Sequence, residues 1–192
     1  MFDFLTPHAI YLLMHLFGVA IGAGAAYMSD VVFLTSAKNK IFSGTEIRIF
    51  TIAGKVVWAG LALLVLSGLL MFLETPEVLL ASSKFMAKMT IVGIIIANGI
   101  IFHTKHIPLI KRMKGQTLSE SEEFRKKGPA LIASGAVSIV SWSCTIILGS
   151  LRGVPFSYVT LLGAYLSLVL IAIGVGVLME RKLFARESAA TN

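Results

Sequence analysis

Five runs of nearly uninterrupted apolar residues, at roughly 8–36, 47–73, 85–110, 129–151 and 156–180, alternate with short polar segments. At about 1.5 Å per residue, each run is long enough to cross a hydrocarbon core of about 30 Å as an α-helix. The pattern predicts an all-α fold: residues 1–192 form a single domain, an integral membrane bundle of five transmembrane helices. The first run is not expected to be a cleavable signal peptide. Only Asp3, and no Lys or Arg, precedes it, and it is too long for a signal-peptide core.

Composition agrees with this pattern, since 56% of residues are hydrophobic and only 14% charged, far from the balance of a soluble domain. Basic residues are distributed unevenly among the connecting segments. Lys38 and Lys40 separate the first two helices. Lys105, Lys111, Arg112, Lys114, Arg125, Lys126 and Lys127 follow the third, and Arg181, Lys182 and Arg186 follow the fifth, whereas the other two loops carry only Lys84 and Arg152. The positive-inside rule then places the N-terminus outside and the C-terminus in the cytoplasm, as expected for a multi-pass protein of a bacterial cytoplasmic membrane. The net charge of +7 sits at helix ends without interleaved aromatics, which argues against nucleic acid and for anionic headgroups of the lipid bilayer as partner.

The polar segment from Lys111 to Lys127, with Ser119, Glu120, Glu122 and Glu123 between basic clusters, is expected to be a solvated cytoplasmic loop. Pro129 is placed at the start of the fourth helix, where a missing N–H costs least, and Pro108 is expected to end or kink the third. The single cysteine, Cys144, lies within the fourth helix and excludes a disulfide framework or a Cys-based metal site. No internal repeat relates the early and late helices, which weighs against a transporter built from repeats.

Against this background His15, Asp30, Lys55, Lys88 and His103 stand out. Ionisable groups at mid-bilayer cost about 2.5–3.5 kcal/mol each on insertion scales, so they usually line a cavity, pair, or hold a ligand. Depth along antiparallel helices divides them. The 15-residue separation of His15 and Asp30 corresponds to about 22 Å of helix. His15 therefore pairs with Lys88 in an outer cluster, and Asp30 with Lys55 and His103 in an inner one. The plain reading of the inner cluster is an Asp30–Lys55 ion pair fixing helix register; the alternative is a proton or ion relay that includes His103. His103 and His106, three residues apart, are half of a metal site for which no further ligands are found.

On the first helix His15, Gly18, Gly22, Ala26 and Ser29 recur on one side, a small-residue stripe that admits a second helix or a flat ligand. On the third, Lys88, Val92, Ile95, Gly99, His103 and His106 share a face. On the fourth, Ser134, Ser138, Ser141, Thr145 and Gly149 form a stripe beside Trp142, read as helix packing with hydroxyls bonded to their own backbone.

The segment His15-Leu-Phe-Gly-Val-Ala-Ile-Gly, followed by Lys88-Met-Thr-Ile-Val-Gly opening the third helix, resembles the arrangement in HemJ-type membrane protoporphyrinogen oxidases and the related CopD-like proteins, over roughly residues 8–110. The resemblance implies a small bundle binding b-type haem, with His15 and Lys88 at the positions of the family's functional histidine and lysine. The chain departs from that pattern in its fifth helix, in lacking an aromatic-rich segment after His15, and in carrying Asp30 and Lys55.

The leading expectation is a membrane protein that binds haem b and takes part in electron transfer or a linked oxidation. His15 is an axial ligand to the haem iron, against the plainer reading of a hydrogen-bonded interhelical histidine, and Lys88 a second ligand or a propionate partner, against the plainer reading of a side chain that snorkels to the outer interface, while Gly18 and Gly22 make room for the macrocycle. A quinone or a redox partner protein is the expected electron partner, and an oligomer is compatible with the chain. Two alternatives are a small channel or transporter using Asp30, Lys55 and His103, and a non-catalytic accessory subunit.

Overall fold

A computed structural model describes residues 6–39, 41–117 and 121–188. Asp3, Lys40, Ser119 and Glu120 lie outside the described residues, as do the side chains of Lys38, Arg181, Lys182 and Arg186. The chain forms α1 (Pro7–Asn39), α2 (Gly44–Glu74), a short α3 (Pro76–Leu80), α4 (Ser83–Ile101), a π turn (Phe102–His106), α5 (Ile107–Arg112), α6 (Glu122–Ser150) and α7 (Tyr158–Ser188). Five helical stretches are long and apolar enough to cross a membrane, with α4, the π turn and α5 forming one of them. Large apolar side chains cover the outside, among them Phe17, Leu69, Val159 and Leu170. In water such a surface is an association hazard, and in lipid it is the solvated face. The protein is a multi-pass membrane protein.

Local chemistry sets the helix ends. Ser43 and Glu46 form a reciprocal capping box on α2, with Ser43 N–H donating to Glu46 Oε2 at 2.7 Å and Glu46 N–H to Ser43 Oγ at 3.2 Å. Ser82 caps α4, and Ser121 caps α6 with Glu122 and Glu123 in its first turn, where the helix dipole favours negative charge. This second cap corrects the expected start of the fourth helix. The helix begins at Glu122, seven residues earlier in the chain than Pro129, so the proline sits inside it. Pro108 does not end its helix either. The π turn precedes it, and the helix continues to Arg112; wider i→i+5 bonding accommodates a missing N–H and the proline ring.

The segment after α5 is more ordered than a solvated loop. Residue pairs Ile41 with Thr117 and Phe42 with Lys114 form isolated bridges, and Gly115 N–H donates to the Phe42 carbonyl at 3.1 Å. Gly115 reaches that bond at φ 74°, the left-handed region that glycine enters without steric cost. Beneath the bridges Phe42, Phe50, Ile110, Met113 and Phe124 form a small second core, and Arg112 reaches Glu123 at 3.4 Å. The main core runs through the bundle centre and includes Leu61, Leu64, Ala87, Ile91 and Trp142.

The most extensive helix contact is between α1 and α2, and α6 packs on both α4 and α7. The first contact is close because glycines face each other. A Cβ added to Gly60 falls 2.4 Å from the Gly22 nitrogen, and one added to Gly18 falls 2.6 Å from the Leu64 nitrogen. The bundle is therefore a tight α1/α2 pair set against an α4–α6–α7 group, with cavities along the seam between them.

Candidate functional site

The first cavity, about 350 Å³, lies at the end of the bundle where α1 begins and α2 ends, and both His15 and Lys88 line it. Its walls are otherwise largely apolar, with Leu12, Leu16, Phe85 and Met89 among them, and no Asp or Glu among the described residues takes part. The volume lies within the range of about 300–1,000 Å³ usual for small-molecule sites. The rise-per-residue argument thus brought together two residues 73 positions apart in the chain.

His15 is held in one orientation. Its Nδ1 is 3.2 Å from Ser67 Oγ, and that hydroxyl lies 2.7 Å from the Leu63 carbonyl and 3.0 Å from the Leu64 carbonyl on its own helix. A serine has one proton to give. With that proton directed at a backbone carbonyl, Ser67 accepts from Nδ1–H, and in the neutral ring the lone pair is then on Nε2. The Leu64 backbone also lies within hydrogen-bonding reach of the ring. The ring also lies over Gly68, whose absent side chain leaves Cε1 3.5 Å from the Cβ position. Ser67 is fully buried.

Lys88 has no hydrogen-bond or ion-pair partner among the described residues, in contrast to Lys84 one turn earlier, whose ammonium donates to the Leu151 carbonyl at 2.7 Å beyond the end of α6. The cavity thus joins a fixed imidazole to an unpaired amine in apolar surroundings. This donor set suits a flat apolar ligand bearing negative charge or carbonyl oxygens at its edge.

Gly18 and Gly22 do not line this cavity. Gly18 packs on the α2 backbone, and Gly22 carries the Trp142 ring, 2.7 Å from where its Cβ would be. The stripe is a helix crossing, and its missing side chains are matched by another helix and by an indole.

The second cavity is nearer the basic end of the bundle and measures about 60 Å³. Asp30, Asn98, His103, Ser134 and Ser138 line it, with Trp58 and Trp142 among the apolar walls. Asp30 does not pair with Lys55. Lys55 is exposed on the outer face of α2 and forms no ion pair among the described residues, while Asp30 faces inward to α6. Depth alone had put them together; helix rotation turns Lys55 away. His103 lines the cavity, whereas His106 is buried with its ring edge toward Phe102, centroids 6.0 Å apart. The extra residue of the π turn offsets the shared face expected for the two histidines. Among the described residues no group of three or more His, Cys, Asp or Glu converges as for a metal ion.

The polar stripe of α6 works largely across helices. Ser134 Oγ donates to Asn98 Oδ1 at 2.8 Å while Asn98 Nδ2 donates to the Ser134 carbonyl at 3.0 Å. Ser141 and the Tyr165 hydroxyl are 2.8 Å apart, and Ser143 and the Tyr27 hydroxyl 3.0 Å. Only Thr145, donating to the Ser141 carbonyl at 2.8 Å, follows the self-bonding expectation. Asn98, Tyr27, Ser67 and Tyr165 did not figure in the sequence reading, which attended to groups that carry charge. A lone amide in an apolar run was the available signal, since it too demands a partner in lipid.

The chain matches no known protein family, no curated protein and no solved structure. The functional reading therefore rests on these two cavities.

Proposed function

We propose that the protein is a membrane b-type haem protein of the bacterial cytoplasmic membrane that takes part in electron transfer or a linked oxidation. The observation that carries this reading is the Ser67-anchored His15 in a cavity shared with Lys88. His15 Nε2 would hold the haem iron. Its Nδ1–H bond to Ser67 supplies the outer-shell orientation that metal-bound histidines need. Lys88 stands as the partner of a propionate or as the second ligand, and the absence of any acidic residue on the cavity wall leaves its charge to be met by the cofactor. The apolar wall formed by α1, α3, α4 and α6 excludes water from the macrocycle. When bound, haem supplies a one-electron redox centre. A quinone dissolved in the bilayer is the natural exchange partner for a site at this depth.

The deciding experiment is the visible spectrum of the purified protein, oxidised and dithionite-reduced, after expression with ample haem. A Soret band that His15→Ala abolishes and Asp30→Asn leaves in place supports the assignment. A colourless wild-type preparation overturns it.

A further inference from the structure

The second cavity has a feature the haem reading does not use. Asp30 Oδ2 is buried with no hydrogen-bond partner among the described residues. Its other oxygen lies 3.4 Å from the Cβ position of Gly135, and the Ser138 hydroxyl is within reach of the carboxyl group. An unpaired carboxylate in such a place is costly, because no counter-charge among the described residues offsets the lost hydration.

We infer that Asp30 is a proton-exchanging carboxyl, which gains and loses its proton through the small cavity it shares with His103. Every element packed on it points the same way. α2 presents Gly54 and Trp58 to the cavity, while Lys55 turns outward. α4 presents Asn98 and α6 presents Ser134 and Ser138, all uncharged. On its other side Asp30 borders a wholly apolar groove formed with α6 and α7, whose Val175 and Gly176 bring no charge. His103 is the one titratable neighbour among the described residues, and it is exposed at its outer edge.

A metal cation is a poorer occupant. Hard cations require about six oxygen ligands, and here Asn98 Oδ1 and the Ser134 hydroxyl and carbonyl already bond to each other. Asp30, Ser29 and Ser138 alone are too few. A proton needs one oxygen and a path. The cavity of about 60 Å³ has room for a few waters, each requiring roughly 10–15 Å³ of accessible space. The proton on Oδ2 passes to such a water, or to the His103 imidazole, and from there to solvent at the basic end, leaving the carboxylate to take the next proton by the reverse route. Imidazole is suited to this exchange because one ring nitrogen can accept a proton while the other donates one.

The chain has only two aspartates, Asp3 and Asp30, so the group can be observed without altering it. Infrared spectra of the full-length protein in lipid nanodiscs, carrying ¹³C-labelled aspartate on an Asp3→Asn background, read Asp30 alone. The expected result is an isotope-shifted carbonyl band of a protonated acid at a pH at which the helices persist. The band moves in D₂O and disappears as the pH rises. His103→Ala is expected to slow the D₂O response by at least about tenfold, as for loss of a positioned proton donor and acceptor. The proposal is overturned if no isotope-shifted acid band occurs at any pH at which the helices persist, or if the band neither exchanges with D₂O nor titrates. An exchange rate untouched by His103→Ala overturns the path through His103. These readings are independent of any Soret band, so failure here and failure of haem binding are separable.

Discussion

Ser67 Oγ and His15 Nδ1, 3.2 Å apart on adjacent helices, join the orientation of a cavity-lining imidazole to a hydroxyl that is itself bonded to its own helix backbone. The pair translates a packing register into a chemical one, because the ring can keep its orientation only while α1 and α2 keep theirs.

Ser67→Ala removes the acceptor and frees the ring. Outer-shell partners of metal-bound histidines typically contribute 10–100-fold in affinity, so haem titration followed by absorbance should show binding weakened by about tenfold with the Soret band retained. His15→Ala should remove the band. Equal affinity in Ser67→Ala and wild type would show that the serine does not orient the ligand.

Lys55 offers a sharp contrast with the ion pair expected of it. A buried pair broken at one partner costs about 3–5 kcal/mol, whereas exposed substitutions usually fall within about 0.5 kcal/mol. Since Lys55 is exposed, Lys55→Gln should leave unfolding in detergent nearly unchanged. A loss of several kcal/mol would mean that the side chain finds a buried partner after all.

These two residues show what could be read in advance. Spans and depths follow from run length and rise per residue, quantities carried by the chain itself, so the five helices and the meeting of His15 with Lys88 were legible. Facing is different. Whether Lys55 looks inward depends on how α2 is rotated against its neighbours, and the Gly60 contacts that set this rotation involve another helix. The same limit hid the role of Gly18 and Gly22: a stripe of small residues states that something approaches closely, not whether it is a macrocycle, an indole or a backbone. Asn98 was overlooked because an amide carries no charge, although in lipid its hydrogen-bonding demand is comparably specific.

Asn98 and Ser134 exchange two hydrogen bonds between α4 and α6. Asn98→Ala loses both, and Ser134→Ala only the side-chain one, because the carbonyl remains. Side-chain bonds between transmembrane helices average about 0.6 kcal/mol in double-mutant cycles. The Asn98/Ser134 cycle should give a coupling of that order, with Asn98→Ala the costlier single change. A coupling of zero would assign the cost of Asn98→Ala to packing alone.

The helix crossing that positions the larger cavity can be tested at one glycine. A Cβ on Gly60 would fall 2.4 Å from the Gly22 nitrogen, 2.7 Å from its Cα and 2.9 Å from the Gly18 carbonyl oxygen. All three are backbone atoms, so no side chain can swing aside and the helices themselves must separate. Overpacking of this kind costs about 1–3 kcal/mol, and Gly60→Ala should lower unfolding stability by that amount. Gly24, two residues from Gly22 of the same crossing but with nothing within 4 Å of its Cβ position, is the control: Gly24→Ala should not lower stability. The cost should also appear at a distance. Ser67 follows Gly60 by seven residues, about 10 Å along α2, and His15 precedes Gly18 by less than one turn on α1. Helices pushed apart at Gly60 draw the hydroxyl from the imidazole, so haem affinity should fall in Gly60→Ala and hold in Gly24→Ala. Loss of stability with unchanged affinity would show that the crossing and the histidine are mechanically independent.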